Sequence, residues 1–376
     1  MAATSRTRAW LYALMYGYIP LLFFGCLLSI VLAVALFATS GGRNPGVAIL
    51  FFIIPAIYLL VTVGHVLLAL KALFDPIDAD DEMEIKVPKP WIRGLTQLVR
   101  QVAEKRGLPR PDEIRLHAQT IAHVYEEDDG RKVLVVGGLA LASFSRKGLA
   151  GVIAHELGHF HAGDTHRLRV SGKWLRLMAT LDWRFARDSL SMINLFAWVL
   201  RGYHFVFRCV WFANSRAAEF DADEQEIEHV GPEQSARTSI LISAVEHLPL
   251  VDLHSVAQQC VALQLPMRAL FTEQARRARE ASGDDWVAAF KKAYKESTKR
   301  YDSHPCLRER LQATGLTKKE FRTLARNLNH DDDPAAVLVN NWEAVESALT
   351  DRLLMVVQEI YDAKMELAQL ILGRPV

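Results

Sequence analysis

Two long uncharged stretches constrain this chain most. Residues 11–38 and 47–70 contain no Asp, Glu, Lys or Arg, and each exceeds the roughly 20 residues that a bilayer-spanning helix needs. Pro20 and Pro55 fall inside them, a position that membrane helices tolerate. The polar segment Thr39-Ser40-Gly41-Gly42-Arg43-Asn44-Pro45 between them reads as a tight turn. Residues 1–75 are therefore expected to form a transmembrane helical hairpin. A cleaved signal peptide does not fit, because the first apolar run is too long and a second follows at once. Arg6 and Arg8 precede the first stretch, Lys71, Lys86, Lys89 and Arg93 follow the second, and Arg43 alone lies in the turn. Positive charge on the two outer flanks places both ends, and the bulk of the chain, in the cytoplasm.

The formal net charge is +1 over 376 residues, which lacks the basic excess of a nucleic-acid binder. No nucleic-acid partner is expected, and the run Arg276-Arg277-Ala278-Arg279 reads as a solvated helix face. The four cysteines, Cys26, Cys209, Cys260 and Cys306, form no CxxC pair. A cysteine metal site and a disulfide framework are both disfavoured, in keeping with a reducing compartment.

Beyond the hairpin, the acidic and proline-bearing residues 76–90 read as a linker. A main domain is expected over 91–330 and a helical region over 331–376. Residues 91–106 have helical spacing and stop at Gly107-Leu108-Pro109. Short strand-like pieces follow at 113–117, 121–125 and 132–136, the last two joined by the hairpin turn Glu126-Glu127-Asp128-Asp129-Gly130. The remainder reads as helix. Residues 171–213 are apolar but interrupted by Arg201 and Arg208. Charge at mid-membrane is costly, so this segment reads as a helical arm packed on the domain or lying at the membrane surface rather than as further spans. The fold class expected is mainly α with a small β-sheet.

The chemistry-bearing motif is His155-Glu156-Leu157-Gly158-His159. Residues four apart share a helical face, so both imidazoles can meet one ion, and zinc suits imidazole ligands. Zinc acidifies water toward neutrality and polarises a carbonyl; Glu156, next to the first histidine, can accept the proton. Ser145 is a suitable N-cap, Leu149, Val152, Ile153, Leu157 and Phe160 form an apolar stripe, and Gly163 lies where the helix can stop. A third ligand is needed. The local pattern HExxHxxGxxH fails, since Ala162 and Thr165 occupy the required positions and Gly163 and His166 each miss by one. His161 points to another side of the helix. The distant segment Ser215-Arg216-Ala217-Ala218-Glu219-Phe220-Asp221-Ala222-Asp223 puts Glu219 and Asp223 on one helical face. Glu219 can complete a His, His, Glu set for one zinc per chain, with Asp223 orienting a ligand histidine.

These motifs resemble those of the HtpX-like and CAAX-prenyl-protease-like membrane zinc endopeptidases, over roughly residues 95–311. HELGH with the downstream Asp164 resembles the family's HExxH and aspartate. Ser215-Arg216, Glu219 and Asp223 resemble its SRxxExxAD segment, and Ser303-His304-Pro305, with Leu307 and Arg310, its late histidine–proline motif. The resemblance implies a zincin-like domain that hydrolyses peptide bonds, with His155, His159 and Glu219 on zinc and Glu156 as general base. It implies His304 near the metal, where it can stabilise an oxyanion, and Arg216, Asp164 and Asp223 in supporting roles. It also implies that the strand carrying Val133, Leu134, Val135 and Val136 is the edge that holds an extended polypeptide substrate by β-augmentation. Two positions depart from the family pattern: Gly148 replaces a capping glutamate and Ile121 an asparagine. The expected protein is a membrane-anchored endopeptidase of the bacterial inner membrane, in contact with the lipid bilayer, acting on misfolded or membrane-associated proteins. The competing readings are a narrow-specificity processing protease and a non-catalytic metal-binding membrane scaffold.

Overall fold

The structure, a computed structural model, describes residues 2–40, 56, 60, 63–64, 66–67, 82–119, 121–161, 163–187, 195–248, 261, 269–328 and 334–372. In chain order the elements are α1 (Ala2–Ser40), β1 (Glu84–Ile85), α2 (Arg93–Arg106), β2 (Glu113–His117), β3 (Ala122–Glu126), β4 (Lys132–Gly137), α3 (Gly138–Ser143), α4 (Arg146–His161), α5 (Asp164–Arg187), α6 (Leu195–Val230), α7 (Pro232–Ala244), α8 (Leu270–Glu280), α9 (Gly283–Lys295), α10 (Leu307–Gln312), α11 (Lys318–Arg326) and α12 (Trp342–Leu372). The architecture is mainly helical with one small sheet, compatible with a zincin-like domain.

The chain divides into two compact units. The first comprises residues 1–77, 167–217 and 299–303. Its core is apolar: Leu11 and Met15 of α1 pack with Leu177, Leu181 and Phe185 of α5 and with Leu200 and Phe207 of α6. A polar chain crosses that core. The Tyr18 hydroxyl lies 2.7 Å from His204 Nε2, and His204 Nδ1 lies 2.7 Å from Asp182 Oδ1. Arg208 Nη2 lies 3.7 Å from the other Asp182 oxygen, so the buried polar groups are partnered, as burial requires. The first uncharged stretch, 11–38, lies within α1, which runs through Pro20. Among the described residues no helix is long and apolar enough to cross a membrane, so the expected transmembrane hairpin is not found. The second stretch, 47–70, and the turn before it lie mostly outside the described residues.

The second unit comprises residues 78–166, 218–298 and 304–376. Its sheet has the order β1-β2-β4-β3. β2 and β4 are parallel, whereas β1 with β2 and β3 with β4 are antiparallel. Leu116, Leu134 and Val136 face a core shared with α2, α4, α8 and α12. A second core joins α7, α9, α10 and α11 around Trp286 and Phe290. α12 supplies Val345, Leu349, Leu353 and Val357 to the first of these cores.

Two expectations are corrected. The segment read as a linker contains β1, whose Glu84 and Ile85 pair with His117 and Leu116. Met83, Ile85 and Val87 alternate with Glu82, Glu84 and Lys86, a period-two signal obscured by the flanking prolines and charges. The strand carrying Val133, Leu134, Val135 and Val136 is also not an edge. β4 lies between β2 and β3, and all four valine and leucine side chains are buried. A continuously apolar strand belongs in the middle of a sheet, and the edges are the two-residue β1 and the longer β3.

Candidate metal centre

α4 begins as its sequence predicts. Ser145 Oγ accepts the Gly148 N–H at 3.1 Å, the N-cap arrangement. The helix buries Leu149, Val152, Ile153, Leu157 and Phe160 in the main core. It ends at His161, with Gly163 at φ +66° donating its N–H to the Phe160 carbonyl. Glycines inside a helix cost roughly 0.5–1 kcal/mol each relative to alanine, and close packing explains two of them. A Cβ at Gly158 would lie 3.3 Å from the Ala222 Cα, and one at Gly151 would lie 3.2 Å from a Glu226 carboxylate oxygen. The missing side chains bring the C-terminal half of α6 against α4, and so bring Glu219 to the histidines.

The ligand geometry follows. His155 Nε2 lies 3.5 Å from Glu219 Oε2, and His159 Nε2 lies 3.7 Å from Glu219 Oε1. The two imidazoles stand nearly perpendicular, at 86°. Ligand atoms of the three residues all lie within 4.8 Å of one another. Two ligands bonded at about 2.0–2.1 Å in a tetrahedron stand about 3.4 Å apart, so this spacing and this N, N, O donor set fit a zinc ion. Glu156, partly exposed on the same helix, is free of the ligand cluster.

A second layer orients the first. His155 Nδ1 lies 3.1 Å from Asp223 Oδ1, and a carboxylate on the far nitrogen fixes the tautomer of a ligand histidine. Arg310 donates to Asp223 through Nε at 3.0 and 3.2 Å and also through Nη2, a bidentate pairing. Burial opposes charge on both carboxylates. The cationic partners outweigh it and hold Glu219 and Asp223 below the ordinary carboxylate range: His155 and His304 act on Glu219, Arg310 and His155 on Asp223. Burial likewise opposes charge on His155, but Asp223 and Glu219 outweigh it and raise its proton affinity. A metal binding there replaces that proton. Glu226 behaves oppositely: burial pushes its carboxyl up to about 7.

The other expected residues distribute as follows. His304 is exposed and places Nδ1 3.0 Å from Glu219 Oε2, and that hydrogen bond raises its proton affinity. Arg216 donates to the carbonyls of Asp302 at 2.8 Å and Arg300 at 3.4 Å. Asp164 opens α5, and its side chain lies outside the described residues. His161 is exposed. His155, Asp223 and Glu226 form a further metal-capable grouping, but Arg310 already neutralises Asp223 there. Glu226 was not among the expected residues. Its signal is the spacing Glu219, Asp223, Glu226, which continues one helical face.

The family model for peptidase family M48 matches residues 92–316. None of the curated proteins matches the chain. The matched region holds the HELGH helix, Glu219, Asp223, His304 and Arg310, the residues that the structure gathers around one point. This chain therefore belongs to peptidase family M48 and is a metallopeptidase, a hydrolase acting on peptide bonds.

Proposed function

We propose that the protein is an HtpX-like, membrane-anchored zinc endopeptidase that cleaves misfolded or membrane-associated polypeptides. The observation that carries this reading is the convergence of His155, His159 and Glu219, with Glu156 beside them and outside the ligand set. A scaffold whose metal is structural has no use for that glutamate. Zinc, one per chain, would be held by His155, His159 and Glu219 and would supply Lewis acidity for water and for the scissile carbonyl. Glu156 takes the proton from the attacking water and passes it to the leaving amine. His304, exposed next to Glu219, donates a hydrogen bond to the developing oxyanion.

Substrate binding falls to β3. In the β3–β4 ladder Glu127 pairs with Arg131, and Gly137 donates to the Ile121 carbonyl. Hydrogen-bonded pairs alternate along an antiparallel ladder. His123 and Tyr125 therefore bond inward to β4, while the backbone groups of Ala122, Val124 and Glu126 face outward. An extended peptide can pair with those outward groups through its main chain, which is tolerant of sequence. α4 packs beside this strand.

Membrane anchoring is supported by the two uncharged stretches and by the apolar side chains that α1 exposes, among them Tyr16 at 74%, Phe24 at 64% and Val34 at 57%. Such a surface is matched by a bilayer. The charge distribution favours a cytoplasm-facing catalytic domain at the bacterial inner membrane. The test is cleavage of casein by detergent-purified protein, comparing wild type with Glu156→Ala and Glu219→Ala and measuring zinc on the same samples. Wild type should cleave, Glu156→Ala should hold zinc without cleaving, and Glu219→Ala should lose zinc. Equal zinc and no cleavage in all three would overturn the assignment. Cleavage of one native protein and no unfolded one would favour a dedicated processing protease.

A further inference from the structure

One buried acid near the metal centre has no part in the chemistry above. Glu226 is 2% exposed and lies two turns beyond Glu219 on the same face of α6. It faces α4 at Gly151, one turn before His155, where even a methyl group would crowd its carboxylate oxygen at 3.2 Å. Ser235 hydrogen-bonds the carboxyl, but Oε1 has no hydrogen-bond partner among the described residues. A carboxylate oxygen of Glu226 lies within 4.8 Å of both a His155 ring nitrogen and an Asp223 oxygen. It also acts on Arg310, the cation that clasps Asp223. An incompletely paired buried carboxyl is costly, and an apolar residue in its place would pack this helix contact more cheaply.

We propose that Glu226 is a positioning residue of the metal centre, whose buried carboxyl, seated against Gly151 beside His155 and Asp223, raises the affinity for a divalent metal when it is ionised. This rests on the zinc assignment above. Asp223 can orient His155 only while Arg310 stays centred on it. Glu226 places a second carboxyl within 4.8 Å of that of Asp223. Its charge also deepens the negative potential at His155, which favours a cation there and works only over the short distances seen. Groups behind the direct ligands typically change metal affinity about 10- to 100-fold when removed.

The experiment compares wild type, Glu226→Gln and Gly151→Ala in full-length protein. Zinc affinity is measured by chelator competition, and metal-free melting temperature on the same preparations. Assayed at pH 8, above the value of about 7 to which burial pushes this carboxyl, Glu226→Gln keeps the shape and removes the charge. It should weaken zinc binding about tenfold or more while leaving the metal-free melting temperature unchanged or higher, because an under-paired buried acid has gone. Gly151→Ala, a change that favours the helix, should weaken zinc binding in the same direction by displacing the carboxylate. Unchanged zinc affinity in Glu226→Gln overturns the proposal. So does a fall in metal-free stability that accompanies the loss of affinity, since Glu226 would then be structural. Wild-type protein that takes up no zinc would overturn the peptidase centre itself, which separates the two failures.

Discussion

Replacing Arg310 by methionine tests whether the support behind His155 is as buried as it looks. The Asp223 side chain is 4% exposed and that of Arg310 17%, so solvent screens the pair weakly. The guanidinium makes two Nε contacts at 3.0 and 3.2 Å and a third through Nη2. Methionine fills similar volume and removes every donor. Asp223 is then left with His155 Nδ1, at 3.1 Å, as its near partner. Removing one member of a buried pair costs about 3–5 kcal/mol, because the other charge stays behind uncompensated. At roughly 2–4 °C per kcal/mol, the metal-free protein should melt about 6–20 °C lower. Asp223→Asn in the Arg310→Met background should restore much of that loss, since the stranded charge is gone. Arg310→Lys should fall between, because an ammonium cannot reproduce the fork. The assay is thermal unfolding in chelator, run as a double-mutant cycle, with zinc retention measured alongside. A loss under about 1 kcal/mol with no coupling to Asp223 would place the pair among ordinary surface ion pairs and refute the reasoning.

Three further outcomes are expected. Gly158→Val should retain helical circular dichroism but lose zinc by tenfold or more, because its Cβ would meet the Ala222 backbone at 3.3 Å and push Glu219 away. Retained zinc would show that α4 and α6 can separate without consequence. Val124→Pro removes an outward N–H from β3 and leaves the β4 ladder intact. It should raise KM for an unfolded substrate about three- to tenfold, the worth of one hydrogen bond, and an unchanged KM would exclude β3 as the docking edge. Arg115→Met should lower stability at pH 7 by ~3 kcal/mol, as Arg115 is buried among Glu84, Glu113 and Glu127. Arg115 holds Glu113 below the ordinary range; at Glu84 burial pushes upward, and His123, Tyr125 and Arg115 overcome it. Stability from a lowered carboxylate is present above its unfolded value and lost as pH falls through the native one. The gap between wild type and Arg115→Met should therefore close below about pH 4, and a gap constant with pH would refute the ionic explanation.

Local signals were enough for much of the centre. HELGH fixes two imidazoles and a glutamate on adjoining positions of one helix by the 3.6-residue repeat alone. The Ser145 cap, the apolar stripe and the stop at Gly163 are likewise properties of a few neighbouring residues. β2 was legible to the residue, and the β3–β4 hairpin followed from its acidic turn and Gly130, which takes φ +86°. The ExxxD spacing named Glu219 and Asp223 together, because residues four apart share one face of a helix.

What the tertiary structure decided depends on which surfaces meet. Strand order is one such matter: β4 announced itself as a strand, but its place between β2 and β3 depends on partners distant in sequence. β1 could not be seen because two residues carry too little pattern to stand out from a charged, proline-rich neighbourhood. The polar chain Tyr18–His204–Asp182 joins three helices whose sequences read as separate apolar segments with stray charges. Glu226 stands in a charged stretch of the sequence, and only the packing of α4 against it at Gly151 buries it. Periodicity determines which residues share a face of an element. Only packing determines what that face touches, and burial then turns an ordinary carboxylate into part of the metal centre.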